Sequence, residues 1–142
     1  LATAEQLRLR PYMPGDFEWF EPRADFVADM AADDWDWSKG PPRGRVWTLQ
    51  RGEVQVLGVA GIGRVDADWH AWAILADIPP KVFVRALWLA QRQLDLFERM
   101  EAGGLYSFSR RENPAAQRCL EHIGFRRVGH TASHAILCRR ER

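Results

Sequence analysis

Cysteine is scarce in this chain, and so is any long apolar run. Cys119 and Cys138 are the only two thiols in 142 residues. That is too few for a disulfide framework, and the expectation is a reduced, intracellular protein with buried thiols. No apolar stretch approaches the roughly 18 residues that span a bilayer, so no membrane partner is expected. The opening residues lack a basic-then-apolar leader, and the chain does not begin with Met, as a trimmed start would leave it. A cytoplasmic location is the resulting expectation. Lysine is nearly missing as well: of 20 basic residues, 18 are Arg. No dense basic run is interleaved with aromatics, which argues against nucleic acid as a partner. Cys119 and His122 share a helical face, and His130, His134 and Cys138 follow, but no pair has ligand spacing and no metal is expected.

What is present is the composition of an ordinary globular protein, with 46% apolar and 27% charged residues. The length fits one domain over residues 1–142 with a core of its own. Charge is unevenly spread: residues 1–37 carry a balance of −6 and residues 38–142 a balance of +7. Such asymmetry marks an interaction face, or lets two parts of one domain attract each other. Homo-oligomerisation stays open on this ground. Tryptophan is abundant, at seven residues. Trp47, Trp72 and Trp88 fall in expected core elements. Trp35 and Trp37 sit in Asp33-Asp34-Trp35-Asp36-Trp37, an acidic, aromatic tip that either receives a basic substrate or protein partner or tucks back onto the core.

Leu7–Tyr12 alternates apolar and basic residues and reads as a first strand. Asp16, after the Pro14-Gly15 turn, is expected to cap a short helix carrying Phe17 and Phe20. Ala24–Trp35 reads as a second helix with Phe26, Val27, Met30 and Ala31 on one face. A Gly/Pro-rich loop, Ser38–Arg45, leads into a hairpin of Val46–Gln50 and Val54–Val65. Gly58, Gly61 and Gly63 in its second arm signal a bulge or a close backbone approach. Trp69–Ala76 is the next strand. Pro79-Pro80 opens the longest helix, from Lys81 to about Ala102, with a stripe of Phe83, Leu87, Leu94 and Phe97 and with Val84, Leu89 and Met100 nearby. Leu105–Ser109, Phe125–Thr131 and His134–Arg139 complete the strands. Strands alternating with helices after an antiparallel meander indicate an α/β or α+β domain.

The most informative stretch is Glu112–Phe125. Asn113 is a good N-cap, Pro114 suits the first helical position, and Ala116, Leu120 and Ile123 recur at helical spacing. Gly124 supplies the positive φ that ends the helix, and Phe125 begins a strand. This unit resembles the C-terminal signature of the GNAT (Gcn5-related N-acetyltransferase) superfamily, N-x-x-A-x-x-x-[FYL]-E-x-x-G-F. The opening Leu-Arg-Leu-Arg-Pro-Tyr-Met-Pro-Gly-Asp-Phe is similar to that family's first strand and turn. The resemblance implies a single GNAT-like domain, with a mixed central sheet of about six or seven strands and about four helices on its two faces.

It also implies acetyl-CoA as cofactor, its pyrophosphate held by backbone N–H groups at the start of the longest helix. The family run R-G-K-G-I-G-R-A-L aligns with Pro79–Leu87. Lys81, Arg85, Ala86 and Leu87 match, while the glycines are replaced by Pro80, Val82 and Val84. By position the cofactor would meet Leu75, Lys81, Val82, Val84 and Arg85, with Asn113 on the pantetheine arm. Pro80 removes a donor, and Val82 and Val84 bring branched side chains to where phosphate oxygens would lie. Val82, Phe83 and Val84 also read as packing residues of an ordinary helix. The family's general-acid tyrosine falls at Leu120, which has no proton to give. Among candidate bases near the hairpin, His70 has the most suitable unperturbed pKa, although a histidine at a strand start is more often a surface residue.

Two classes of function follow. One is N-acetyl transfer by a divergent acyltransferase with a degenerate cofactor loop. The other is a non-catalytic GNAT-like protein acting through protein contacts. Arg118, Leu120, Ile123 and Gly124 fit the variant N-x-x-x-x-R-F-L-x-x-I-G, which resembles small GNAT-like proteins of tailed phages, some of them virion proteins. Under that resemblance the location would be a phage virion. An acyl-CoA or anion sensor without turnover is a third reading.

Overall fold

The computed structural model describes residues 6–142, with the side chain of Trp37 outside the described set. Seven strands form one mixed sheet in the order β1-β2-β3-β4-β5-β7-β6. They are β1 (Leu7–Pro11), β2 (Arg45–Arg51), β3 (Gln55–Val65), β4 (Asp68–Leu75), β5 (Leu105–Arg110), β6 (Arg126–His130) and β7 (His134–Arg140). Three α-helices accompany them: α1 (Ala24–Ala32), α2 (Pro80–Met100) and α3 (Pro114–His122). The expected first helix is a 3-10 turn, Asp16–Trp19, and a second such turn covers Trp37–Lys39. The class is α+β, as expected. The chain groups into two compact units: residues up to Gly61 with Ala73–Ala86, and Ile62–Trp72 with Leu87–Arg142.

In the first unit β1 pairs antiparallel with β2, from Leu7↔Arg51 to Pro11↔Trp47. A buried polar knot locks this pair to the turn that follows β1. Asp16 accepts both Arg10 guanidinium nitrogens at 2.8 and 3.0 Å, the Thr48 hydroxyl at 2.6 Å and the Met13 N–H at 2.7 Å. Asp16 therefore does not cap a helix ahead of it. Its carboxylate turns back to the strands, and Gly15 holds the N-cap position without a side-chain bond. Burial opposes ionisation of Asp16, but Arg10, Thr48 and Met13 outweigh it and hold its pKa below the ordinary value. Gly58 marks a close approach: a Cβ there would lie 2.6 Å from Leu75 Cδ2 and 2.7 Å from the Ile74 carbonyl oxygen.

Helix α1 is shorter than the periodicity implies. It stops at Ala32 because Asp34 takes a φ of 55°. None of its residues is fully buried, and Val27 and Ala31, expected on the core face, are exposed.

In the second unit β5 and β6 both pair antiparallel with β7, and β4 pairs parallel with β5 at Trp69↔Leu105 and His70↔Tyr106. Arg140 closes the end of α2, donating to the carbonyls of Glu98, Glu101 and Gly103 at 2.5, 2.6 and 2.9 Å. The Glu98 and Glu101 carbonyls belong to the helix terminus, where no helical N–H reaches them, so one guanidinium satisfies two acceptors of that end and ties them to the turn at Gly103. Arg139 pairs with Glu98 and Asp95 and donates to the Ile123 carbonyl at 2.7 Å. Leu105, Leu137, Phe97 and Cys138 are almost wholly buried in this unit. Cys119 is half-buried, and neither thiol is in a disulfide among the described residues.

Candidate functional site

In the first unit the candidate residues gather at the end of β4 and the start of α2. The C=O of one residue and the N–H of the next point to opposite sides of an extended strand. The Ala76 N–H donates to the Leu57 carbonyl of β3 at 2.8 Å, so the Leu75 carbonyl faces away from β3. That is the edge along which an extended ligand arm could add to β4. The Leu75 carbonyl is already taken: the Arg23 N–H, at the N-cap of α1, donates to it at 2.8 Å. Arg23 is held there by its ion pair with Asp25 and by its guanidinium over the Phe26 ring at 4.8 Å.

Helix α2 then begins at Pro80, which has no N–H. The Phe83 N–H is bonded to the Pro79 carbonyl at 2.9 Å. Of the four amides that a helix start usually leaves unpaired, those of Lys81 and Val82 remain without a partner among the described residues. The two valines part company. Val82 is 8% exposed and packs into the core, whereas Val84 is 66% exposed. Only Val84 thus stands on the open side of the helix, beside the exposed Lys81 and Arg85. Two amides and two cations could attract an anion.

Other residues singled out from sequence lie in the second unit and are described there by themselves. Asn113 is buried, and its side-chain oxygen accepts from the Ala116 N–H at 3.1 Å, the cap expected from sequence. At the far end of α3, the Gly124 N–H donates to the Glu121 carbonyl at 3.1 Å and the Phe125 N–H to the Leu120 carbonyl at 3.0 Å. With Gly124 at a φ of 102°, this is a Schellman stop. Leu120, in the position of the family tyrosine, is half-buried.

His70 packs edge-on against the Phe108 ring, with centroids 4.4 Å apart. Burial, with a smaller contribution from the charge of His134, pulls its pKa below the ordinary histidine value. His70 is therefore half-buried rather than a surface residue. Ser109, in the same strand as Phe108, was not a candidate from sequence. Its hydroxyl is buried and has no hydrogen-bond partner among the described residues. The only sequence signal was a serine in an inward-facing position of a core strand.

The acidic tip is locally ordered. The Asp36 carboxylate accepts the Ser38 N–H at 2.9 Å and its hydroxyl at 2.6 Å, which lowers its pKa. Trp35 is half-buried, and the side chain of Trp37, part of the expected partner face, lies outside the described residues. No group of three or more His, Cys, Asp or Glu among the described residues could hold a metal ion. No described helix is long and apolar enough to cross a membrane.

At the level of sequence no family model matches the chain, and no curated protein does either. Solved structures do match. A GCN5-related N-acetyltransferase from Kribbella flavida aligns with a TM-score of 0.68 at 17% identity, over 94% of this chain and 97% of the other. An acetyltransferase of the GNAT family from Bacillus anthracis gives 0.63 at 17% identity, over 96% of each chain. A spermidine N-acetyltransferase chimera from Vibrio cholerae and hSSAT gives 0.62 at 16% identity, again over 96% of each. Identities this low speak for the backbone alone. The fold of this chain is the GNAT acetyltransferase fold.

Proposed function

We propose that this chain keeps the GNAT acetyltransferase frame but has a degenerate acetyl-CoA site, and that it does not transfer acetyl groups to amines at an enzyme's rate. The observation that carries the reading is the Arg23 N–H bonded to the Leu75 carbonyl. A pantetheine arm adding to that edge of β4 would have to displace it, leaving the Arg23 N–H to find a new partner. Pro79 and Pro80 have no N–H, so two of the donors usual at a helix start are missing. Leu120 cannot protonate a departing thiolate. The protein then acts through contacts with other proteins, and the Asp33–Trp37 tip is one candidate face. The similarity to small tailed-phage proteins belongs to this reading.

One observation favours a second reading, a binder of acetyl-CoA or another acyl-CoA. The buried Ser109 hydroxyl has no partner among the described residues, and a ligand amide could supply one. The two readings separate in a thermal-shift and Trp-fluorescence titration with acetyl-CoA and CoA. No shift up to millimolar ligand is the expected result. Stabilisation by a few degrees at sub-millimolar ligand would restore the binding reading.

A further inference from the structure

The solvent face of α2 carries more apolar surface than a free helix face should. Trp88, Leu96 and Met100 are all exposed, Trp88 at 56%. They recur at intervals of four or eight residues, which places them on one i±4n ridge with Arg92 between them. Arg92 stacks on the Trp88 ring at 4.8 Å, so the ridge is both apolar and cationic. Arg85 and Arg99 flank it. Asp95 and Glu98 offset them only in part, since the two carboxylates share Arg139. The ridge is convex, basic and carries an indole at one end.

The first unit holds a surface with the opposite properties. An open groove of about 710 Å³ is lined by Trp19, Phe20, Glu21, Val27 and Asp77 among others, and no Lys or Arg lines it. Trp19 on its wall is 74% exposed. Asp33 and Asp34 at the end of α1 add to an N-terminal region whose balance is −6. Concave, acidic and apolar on one side meets convex, basic and apolar on the other.

We infer that the groove receives the α2 ridge of a second copy of this chain, with Trp88 as the inserted anchor. A buried Trp and a stacked Arg are the residue types that dominate binding energy at interfaces. Glu21 and Asp77 would face Arg92 and its neighbours, which steers the encounter and suppresses the reverse pairing of two basic ridges. The contact is heterologous, because ridge and groove are different surfaces. Each copy keeps one of each free, so the assembly closes into a ring or continues as a filament. This inference does not depend on whether CoA binds: a ligand titration decides that question and sedimentation decides this one.

Sedimentation velocity over a concentration series tests it. The wild type should grow beyond the 16.4 kDa monomer as concentration rises, and added salt should reverse the growth. Trp88→Glu on the ridge, or Glu21→Lys with Asp77→Lys in the groove, should each weaken association at least about tenfold. All of these side chains are exposed, and circular dichroism checks that each variant is folded. Mixing the ridge variant with the groove variant should restore one contact only, giving a dimer of twice the monomer mass and nothing larger. A wild type that stays monomeric throughout overturns the proposal. So does a mixture that stays monomeric, or association that survives both sets of changes. A monomer that instead binds phosphatidylserine vesicles through Trp88 would assign the ridge to a lipid surface and also overturn it.

Discussion

Asp16 and Arg10 form a two-pronged ion pair inside the first unit, with Thr48 and the Met13 amide completing the carboxylate's shell. Removing the charge should leave Arg10 underpaired, so Asp16→Asn is expected to cost about 2 kcal/mol or more, read from urea unfolding. The pH dependence has a definite sign. The folded-state pKa of Asp16 is lowered, so its contribution is complete above the ordinary carboxylate range and is lost as pH falls through the folded value. Asp16→Asn should flatten that acid limb of the stability profile. Ser109 predicts the opposite sign: Ser109→Ala deletes a buried hydroxyl that has no partner among the described residues and should raise stability by about 1 kcal/mol. An unchanged or lower midpoint would mean the hydroxyl is satisfied after all. Neither residue's role was legible in the sequence. Asp16 looked like a helix cap because its partners Arg10 and Thr48 are brought to it by strand pairing, which local spacing does not reveal.

At the scale of elements, legibility tracks how local the determining interactions are. Helix α3 was readable because its cap, its first-turn proline and its glycine stop act within a few residues of one another. Gly124→Ala tests the stop: a Cβ at a φ of 102° would also lie 3.0 Å from Arg139 Nε. The expected loss is about 1–2 kcal/mol, measured by thermal unfolding. Helix α2 was readable in extent and in its main stripe: Leu94 and Phe97 are buried, and Phe83 and Leu87 are half-buried. Val84 and Met100, expected near that stripe, and Trp88, expected in the core, are exposed instead, while Val82 and Ala86 are buried. A helix with apolar residues on more than one side carries no internal record of which of them will be covered. That same excess of apolar surface is what makes α2 a docking ridge. Helix α1 failed in another way, since its end is set by the left-handed Asp34 rather than by the apolar pattern.

At the scale of the molecule, the order of elements along the chain and the fold class were legible because the alternation of elements and the Asn113–Phe125 unit agree on one architecture. The site was not, because its decisive contact joins two distant backbone groups. No residue type at position 23 announces that its amide will meet the carbonyl of Leu75. The substitution Arg23→Pro isolates that contact. Arg23 has a φ of −58°, which proline adopts without strain, and the change removes the donor. Arg23→Ala keeps the donor and loses only the side chain. Calorimetric titration of CoA into the wild type, Arg23→Pro and Arg23→Ala proteins tests the central claim most directly. The expected result is no binding heat for the wild type and Arg23→Ala, and measurable binding for Arg23→Pro, whose Leu75 carbonyl is released. Sub-millimolar binding by the wild type, unchanged in Arg23→Pro, would contradict the account.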